Sequence, residues 1–244
     1  MTDNYLTLSY LKVSKNIFYS LLFILPMLFI YEILCFLLFI ENTIEVRNGA
    51  DVLLRQLFSG FGNYTERVYA LILLCLILII MYFNKNVVKY GRLKLSFLLC
   101  MFIESSFWAL ILIFIMSATD NILLSVVNRN IITEQFYLAI GAGIWEEILF
   151  RVGAINLVML FMSKVFSISG AFSTIIAIFV SAVLFSFFHY LGPFGENFMY
   201  KSFYIRLIAG ILLGSLYIFR GLGITAYTHI IYDIAIITIP IIMV

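Results

Sequence analysis

Charged residues are scarce in this sequence. Only 11% of its 244 residues are charged and 64% are hydrophobic, whereas a typical soluble domain is about a quarter charged. A soluble core could not hide so much apolar surface, so we predict an integral membrane protein. The net charge is only +2, and the basic residues form no long run or stripe. Both facts argue against a nucleic-acid partner.

Cysteine is scarce as well. The three cysteines, Cys35, Cys75 and Cys100, lie inside apolar runs and form no CxxC pair. We therefore interpret them as small hydrophobic side chains rather than disulfides or thiolate metal ligands. The first apolar run, Ile17–Ile40, is longer than the core of a signal peptide, and no small-residue cleavage site follows it. We predict that this run is retained as the first membrane helix.

Long apolar runs, by contrast, follow one another along the whole chain. A membrane helix needs roughly 20 predominantly apolar residues, and the sequence predicts an all-α, polytopic transmembrane helix bundle of about seven to eight membrane helices. An amphipathic segment, Asn48–Phe61, could be an interfacial or a re-entrant helix, as could the weaker Asn121–Asn128. Without a repeat or linker, residues 1–244 are predicted to form a single membrane domain. The candidate spans are Ile17–Ile40, Val68–Phe83, Leu95–Ser117, Phe136–Met162, Ile168–Leu191, Ser202–Phe219 and Leu222–Val244.

The fourth span contains three charges in the sequence GIWEEILFRVG. A charged residue at the centre of a membrane helix costs about 2.5–3.5 kcal/mol on insertion scales, so such residues pair, line a wet cavity or do chemistry. Glu147 and Arg151 are four residues apart and are expected to neutralise each other. Glu146 points about 100° away on an α-helix and has no such partner. This asymmetry makes Glu146 the candidate for chemistry, whereas the Glu147–Arg151 pair has a structural interpretation.

Histidine is nearly absent, and both copies fall within predicted spans. His189 ends the fifth span, and His229 lies in the seventh with Asp233 one helical turn further on. A neutral imidazole exchanges protons near pH 7, and a neighbouring carboxylate fixes its tautomer. Simple alternation of the spans puts His189 near one membrane face and His229 nearer the other, so a shared site requires tilted or shifted helices.

Three further acidic or basic residues lie in predicted spans without a local partner. Glu32 and Glu104 are carboxylates on the first and third spans, and each is a weaker candidate for the site. Arg206, near the start of the sixth span, is expected to extend toward the membrane interface. Four glycines in the second half stand at spacings that favour close helix packing, namely Gly141, Gly143, Gly210 and Gly214.

Together these residues form three motifs: EExxxR (Glu146, Glu147, Arg151), FxxxH (Phe185, His189) and HxxxD (His229, Asp233). Each is weak alone, but their combination, in this order and on separate spans, resembles the CPBP family. This is the Abi group of CAAX prenyl endopeptidases and bacteriocin-processing enzymes. The resemblance covers a predicted core over residues 136–244.

The resemblance implies a glutamate-dependent intramembrane endopeptidase. Glu146 would be the general base that activates a water, and His189 would help to hold that water. His229 and Asp233 would position the scissile carbonyl or stabilise its oxyanion, although an Asp donates a hydrogen bond only when protonated. Glu147 and Arg151 would support the helix. The resemblance favours catalysis without a cofactor or metal, but two histidines and a carboxylate also make a plausible zinc set.

The expected substrate is a peptide or protein with a C-terminal or membrane-proximal cleavage site, and the expected location is a bacterial cell membrane, as a multi-pass protein in the lipid bilayer. Two other functions use the same residues. One is a non-catalytic membrane scaffold or bacteriocin-immunity protein of the same fold. The other is a proton-coupled transporter, against which the missing internal repeat argues. The sequence does not identify the physiological substrate or the oligomeric state.

Overall fold

A computed structural model describes residues 10–40, 47–83, 94–119, 132–192 and 195–242 of the chain. All regular structure in these ranges is helical, which confirms the predicted all-α class. The elements in chain order are α1 (Ile17–Ile40), α2 (Gly49–Gln56), a 3₁₀ helix (Ser59–Tyr64), α3 (Thr65–Phe83), α4 (Leu95–Thr119), α5 (Ile132–Gly141), a π-helix (Ala142–Ile155), α6 (Asn156–Val165), α7 (Ala171–Phe188), α8 (Tyr200–Arg220) and α9 (Leu222–Ile242).

Six helices in the described part of the chain are long and apolar enough to cross a membrane, so the count of seven to eight was approximate. The seventh predicted span corresponds to α9, whose apolar stretch Leu222–Thr238 is shorter. The weaker amphipathic segment, Asn121–Asn128, lies outside the described residues. The six helices cover Ile17–Ile40, Ser59–Phe83, Leu95–Ala118, Thr133–Val165, Ala171–Phe188 and Tyr200–Arg220.

The helix that carries the three intramembrane charges is not α-helical throughout. It begins as α5, continues as a π-helix of 14 residues over Ala142–Ile155, and returns to α geometry as α6. The expected 100° between Glu146 and Glu147 was therefore wrong for this segment, because it assumed the α-helical period. π-Helical turns are rare and occur frequently at functional sites.

Helix α9 lies at the centre of the bundle, where it packs against α1, α4, α8 and the π-helix. Gly143 allows the π-helix to approach it closely. A Cβ atom at this position would lie 2.3 Å from Cγ1 of Ile230 and 2.9 Å from the carbonyl oxygen of Ala226. Gly210 of α8 similarly lies against Ala182 of α7, at 3.0 Å from its added Cβ. These contacts agree with the close packing that the glycine spacing predicts.

The short helix α2 lies against the π-helix with a polar side chain turned inward. Its Asp51 is fully buried, whereas Leu57 just beyond its end is 72% exposed. The Asp51 carboxylate lies 3.0 Å from Nη1 of Arg47 and 2.8 Å from Nε of Arg55. The amphipathic pattern therefore reflects an internal ion cluster as well as an apolar outer face.

That ion cluster joins α1, α2 and α3. Its members are Glu32, Arg47, Asp51, Arg55 and Glu66. Burial opposes the charge on Arg47, but hydrogen bonds and attraction from Glu32 and Asp51 outweigh it and raise the Arg47 pKa above its usual value. Glu32 bonds Arg47 through both oxygens, each at 3.1 Å. Glu32 therefore holds α1 to the segment before α2.

Glu104 belongs to a separate ion pair, with Arg220 at the end of α8. Its oxygens lie 2.5 and 2.8 Å from the guanidinium, and the hydroxyl of Tyr10 donates to it at 2.6 Å. The pair ties the residues before α1 to α4 and α8. Two of the three carboxylates that lacked a partner in the sequence, Glu32 and Glu104, are therefore explained by ion pairs made across the fold.

Candidate active site

A cavity of about 300 Å³ opens between the π-helix, α7, α8 and α9. All four candidate catalytic side chains line it: Glu146, His189, His229 and Asp233. The two histidines thus share one site, although simple alternation of the spans put them at different depths. The other residues of the wall are Ala142, Phe185, Ser202, Ile205, Arg206, Ala209, Leu213, Tyr232 and Ile236.

Glu147 connects two of the motifs through its two oxygens. Oε2 lies 3.0 Å from Nε of Arg151, the ion pair that the four-residue spacing predicts. Oε1 accepts a hydrogen bond of 2.8 Å from Nδ1 of His229 on α9. Glu147 and Arg151 are both fully buried. Glu147 therefore does more than stabilise its own helix, because it also fixes the imidazole of His229.

The contact with Glu147 determines how His229 meets the cavity. A carboxylate only accepts hydrogen bonds, so Nδ1 of His229 carries the hydrogen. The other ring nitrogen, Nε2, then faces Asp233, whose Oδ2 lies 3.5 Å away. This distance is long for a hydrogen bond but allows an ion pair when the ring is protonated. His229 thus stands between two carboxylates on different helices.

His189 is the C-cap residue directly after α7, and the last turn of that helix orients its ring. Its Nδ1 lies 2.9 Å from the carbonyl oxygen of Phe185, and because that oxygen only accepts, Nδ1 carries the hydrogen. In the neutral ring, Nε2 then holds the lone pair that can accept a proton or a hydrogen bond. The Phe185 ring meets both imidazoles edge to face, with centroids 5.0 Å from His189 and 6.1 Å from His229.

Arg151 is a buried cation with few partners. Its guanidinium carbon lies 4.7 Å from the centroid of the Phe185 ring, a cation–π contact. Within the described part of the chain its three nitrogens have no hydrogen-bond partner, because the approach of Nε to Glu147 has the distance of an ion pair but not the geometry of a hydrogen bond. Glu147 is therefore the charge on which Arg151 depends.

The sequence left two polar residues of the site unidentified. Glu146 is not alone, because the amide Nδ2 of Asn48 donates to its Oε1 at 3.1 Å. Arg206 lines the cavity wall, and it donates hydrogen bonds to Ser202 at 2.8 Å and to Glu196 at 2.5 Å. Its extension toward the membrane interface stays a prediction. Asn48 and Glu146 are 98 residues apart, so no short spacing signals their contact. Arg206 and Ser202 are four residues apart, a spacing at which side chains meet on one helix face.

Carboxylates and imidazoles, which line this cavity, are also common ligands of zinc. Among the residues that the structure describes, no group of three or more His, Cys, Asp or Glu side chains is arranged to hold a metal ion. Glu146, His189 and His229 line one cavity without forming a ligand set of that kind. The zinc alternative therefore has to be tested by experiment on the protein itself.

Comparison with known proteins points to one family. Residues 128–235, just under half of the chain, match the family model for type II CAAX prenyl endopeptidase Rce1-like proteins. The match includes the π-helix, α7, α8 and most of α9, and so all four candidate residues of the cavity. It confirms the resemblance to the CPBP family that the three motifs indicate. No curated protein and no solved structure matched the chain significantly.

Proposed function

On the premise that residues 128–235 belong to the Rce1-like group of the CPBP family, we propose that this chain is an intramembrane endopeptidase in which Glu146 activates the attacking water. The family match and the apolar helices support a protease of the CAAX type in a membrane. The catalytic roles rest on one observation, the cavity that brings Glu146, His189, His229 and Asp233 together.

In the proposed first step, the carboxylate of Glu146 takes a proton from a water held by Nε2 of His189. The resulting hydroxide adds to the carbonyl carbon of the scissile peptide bond, and the carbonyl oxygen becomes an oxyanion. His229 in its protonated form donates Nε2–H to that oxyanion, while Glu147 holds the ring in place through Nδ1. Asp233 keeps the ring charged at the moment of attack.

In the second step, the tetrahedral intermediate collapses. The bond between carbon and nitrogen breaks, and the departing nitrogen receives the proton that Glu146 took from water. Glu146 is then a carboxylate again, so it acts first as a base and then as an acid. The products are a new carboxyl terminus and a new amino terminus, with one water consumed.

The proposed substrate is a peptide or protein whose cleavage site is C-terminal or close to the membrane. The cavity lies among helices that are long and apolar enough to span a bilayer, so a substrate reaches it from the lipid or from the adjoining interface. The polar wall of Arg206 and Ser202 beside apolar Ile205 and Leu213 suits a peptide with both polar backbone and apolar side chains.

The proposal is tested with purified protein in detergent and a pool of quenched fluorescent peptides. We expect Glu146→Gln to lower the cleavage rate roughly 10²- to 10⁴-fold, the usual contribution of a general base. Glu66→Gln is the matched control, because Glu66 pairs with Arg55 outside the cavity and is 66% exposed. Full activity in Glu146→Gln would contradict the proposal.

The same assay decides between the remaining alternatives. Activity that survives a chelator supports hydrolysis without metal, whereas activity lost to the chelator and restored by zinc would make the histidines metal ligands. A folded wild-type protein that cleaves none of the peptides, including prenylated C-terminal ones, would favour the non-catalytic scaffold.

A further inference from the structure

Asn48 lies far from the family match in sequence but against Glu146 in space. The match begins at residue 128, whereas Asn48 precedes α2 in the first quarter of the chain. Its amide Nδ2 lies 3.1 Å from Oε1 of Glu146, and the two side chains belong to residues only 7% and 6% exposed. The candidate base therefore has a buried partner that the matched region does not supply.

The orientation of the Asn48 amide is fixed by a second contact. Asn48 is the N-cap of α2, and its Oδ1 accepts a hydrogen bond of 2.9 Å from the backbone N–H of Ala50. Because the oxygen of the amide is engaged there, the nitrogen is the atom that faces Glu146. A carboxylate only accepts, so the arrangement matches donor to acceptor at both ends.

The backbone around Asn48 is also held in place. One residue of α2, Asp51, is anchored by Arg47 and Arg55, and by the hydroxyl of Tyr31 at 3.1 Å. On the other side, a Cβ on Gly141 would lie 2.9 Å from Cβ of Asn48, so α5 touches Asn48 directly. The amide is thus presented to Glu146 from a rigid support, which is what orientation of a reacting group requires.

We propose that Asn48 is a positioning residue, which holds the carboxylate of Glu146 in the orientation needed to take a proton from water. This inference rests on the proposed function of Glu146 as the base. It gives the N-terminal part of the chain a direct part in the site, because α2 and the Asp51 ion cluster then serve to deliver one hydrogen bond.

The variant Asn48→Asp separates this role from helix capping. Asp caps a helix as well as Asn does, so α2 keeps its hydrogen bond to Ala50. The variant changes only the atom that faces Glu146: a carboxylate oxygen, which repels the carboxylate of Glu146, replaces the amide nitrogen that donates to it. We expect Asn48→Asp to lower the thermal unfolding temperature in detergent at neutral pH. Adding Glu146→Gln should reverse that loss, because the amide then present at position 146 can donate to the carboxylate introduced at position 48.

The activity arm uses a peptide from the pool that the wild-type protein cleaves. Asn48→Ser keeps an oxygen for the cap but cannot reach Glu146, and we expect kcat to fall roughly 10- to 100-fold with KM unchanged. Asn48→Asp should lower kcat further. Near wild-type kcat in both variants would overturn the inference. The inference would also be overturned if Asn48→Asp lowered the unfolding temperature by the same amount in the wild-type protein and in the Glu146→Gln variant.

The two arms keep this inference distinct from the proposed function. If Glu146→Gln remains active, the base assignment fails whatever Asn48 does. If Glu146→Gln is inactive while both Asn48 variants keep full activity, only the positioning role fails. If the wild-type protein cleaves no peptide, the enzyme proposal loses its support and the positioning role falls with it.

Discussion

We expect Glu147→Gln to destabilise the protein strongly, because it removes the charge on which a fully buried arginine depends. Glu147 and Arg151 have no exposed surface, so solvent does not screen their interaction. The guanidinium nitrogens have no hydrogen-bond partner in the described part of the chain. In the variant, the described residues leave Arg151 only its contact with the ring of Phe185 and the weaker attraction of Glu146. Breaking a buried pair from one side costs about 3–5 kcal/mol.

The magnitude is tested by a double-mutant cycle. Arg151→Gln alone leaves a buried carboxylate that still bonds His229 at 2.8 Å, so it should also be destabilising. The double variant Glu147→Gln, Arg151→Gln removes both charges of the pair, and it should be more stable than the sum of the single effects predicts, by about 1–3 kcal/mol. The pair is therefore costly to break but less costly to replace as a whole.

The assay is unfolding of the purified protein by titration with a denaturing detergent, followed by tryptophan fluorescence. Trp145, on the same π-helix, is 2% exposed and should report loss of its packing. If Glu147→Gln unfolds within about 0.5 kcal/mol of wild type, or if the two single effects simply add, the account of Arg151 is wrong.

Two further predictions concern the supports of the site. Gly143→Ala should lower the free energy of unfolding by about 1–3 kcal/mol and remove most of the activity, since its Cβ would lie 2.3 Å from Ile230. Gly153→Ala in the same helix is the control, because the atom nearest to its added Cβ is 3.5 Å away, and it should change neither stability nor activity. Equal effects of the two variants would contradict this prediction. Asp51→Asn should lower the free energy of unfolding by about 2 kcal/mol. The effect should be smaller than that of Glu147→Gln, because Arg47 and Arg55 keep other acidic partners. An unchanged midpoint of unfolding by denaturing detergent would refute this prediction.

The fold and the main residues of the candidate site could be predicted from the sequence because a charge inside the membrane is so costly. Apolar runs of membrane length predict the helices, and a Glu or His inside such a run needs a partner or a function. Glu146, His189 and His229 stand out for this reason. The contact of Glu147 with Arg151 was also predictable, because residues four positions apart meet on one turn of a helix.

The rest depended on contacts between distant segments. The bond from Glu147 to His229 joins residues 82 positions apart, and no local pattern encodes it. The π-helix was not predicted because its apolar residues also suit an α-helix. It begins at Ala142, next to Gly143, which packs closely against α9, and that contact is made with a distant part of the chain. The place of Arg206 on the cavity wall was not predicted, because it depends on how α8 packs against α7 and α9.

Hydrolysis through Glu146 is tested most directly by mass spectrometry of a peptide incubated with the purified protein in water enriched in oxygen-18. Hydrolysis should give two fragments that together equal the substrate plus one water, with a single heavy oxygen in the new carboxyl terminus. Glu146→Gln should form these fragments roughly 10²- to 10⁴-fold more slowly. Fragments that form equally well with Glu146→Gln, or a folded wild-type protein that yields none from any peptide, would contradict the claim that this cavity hydrolyses peptide bonds through Glu146.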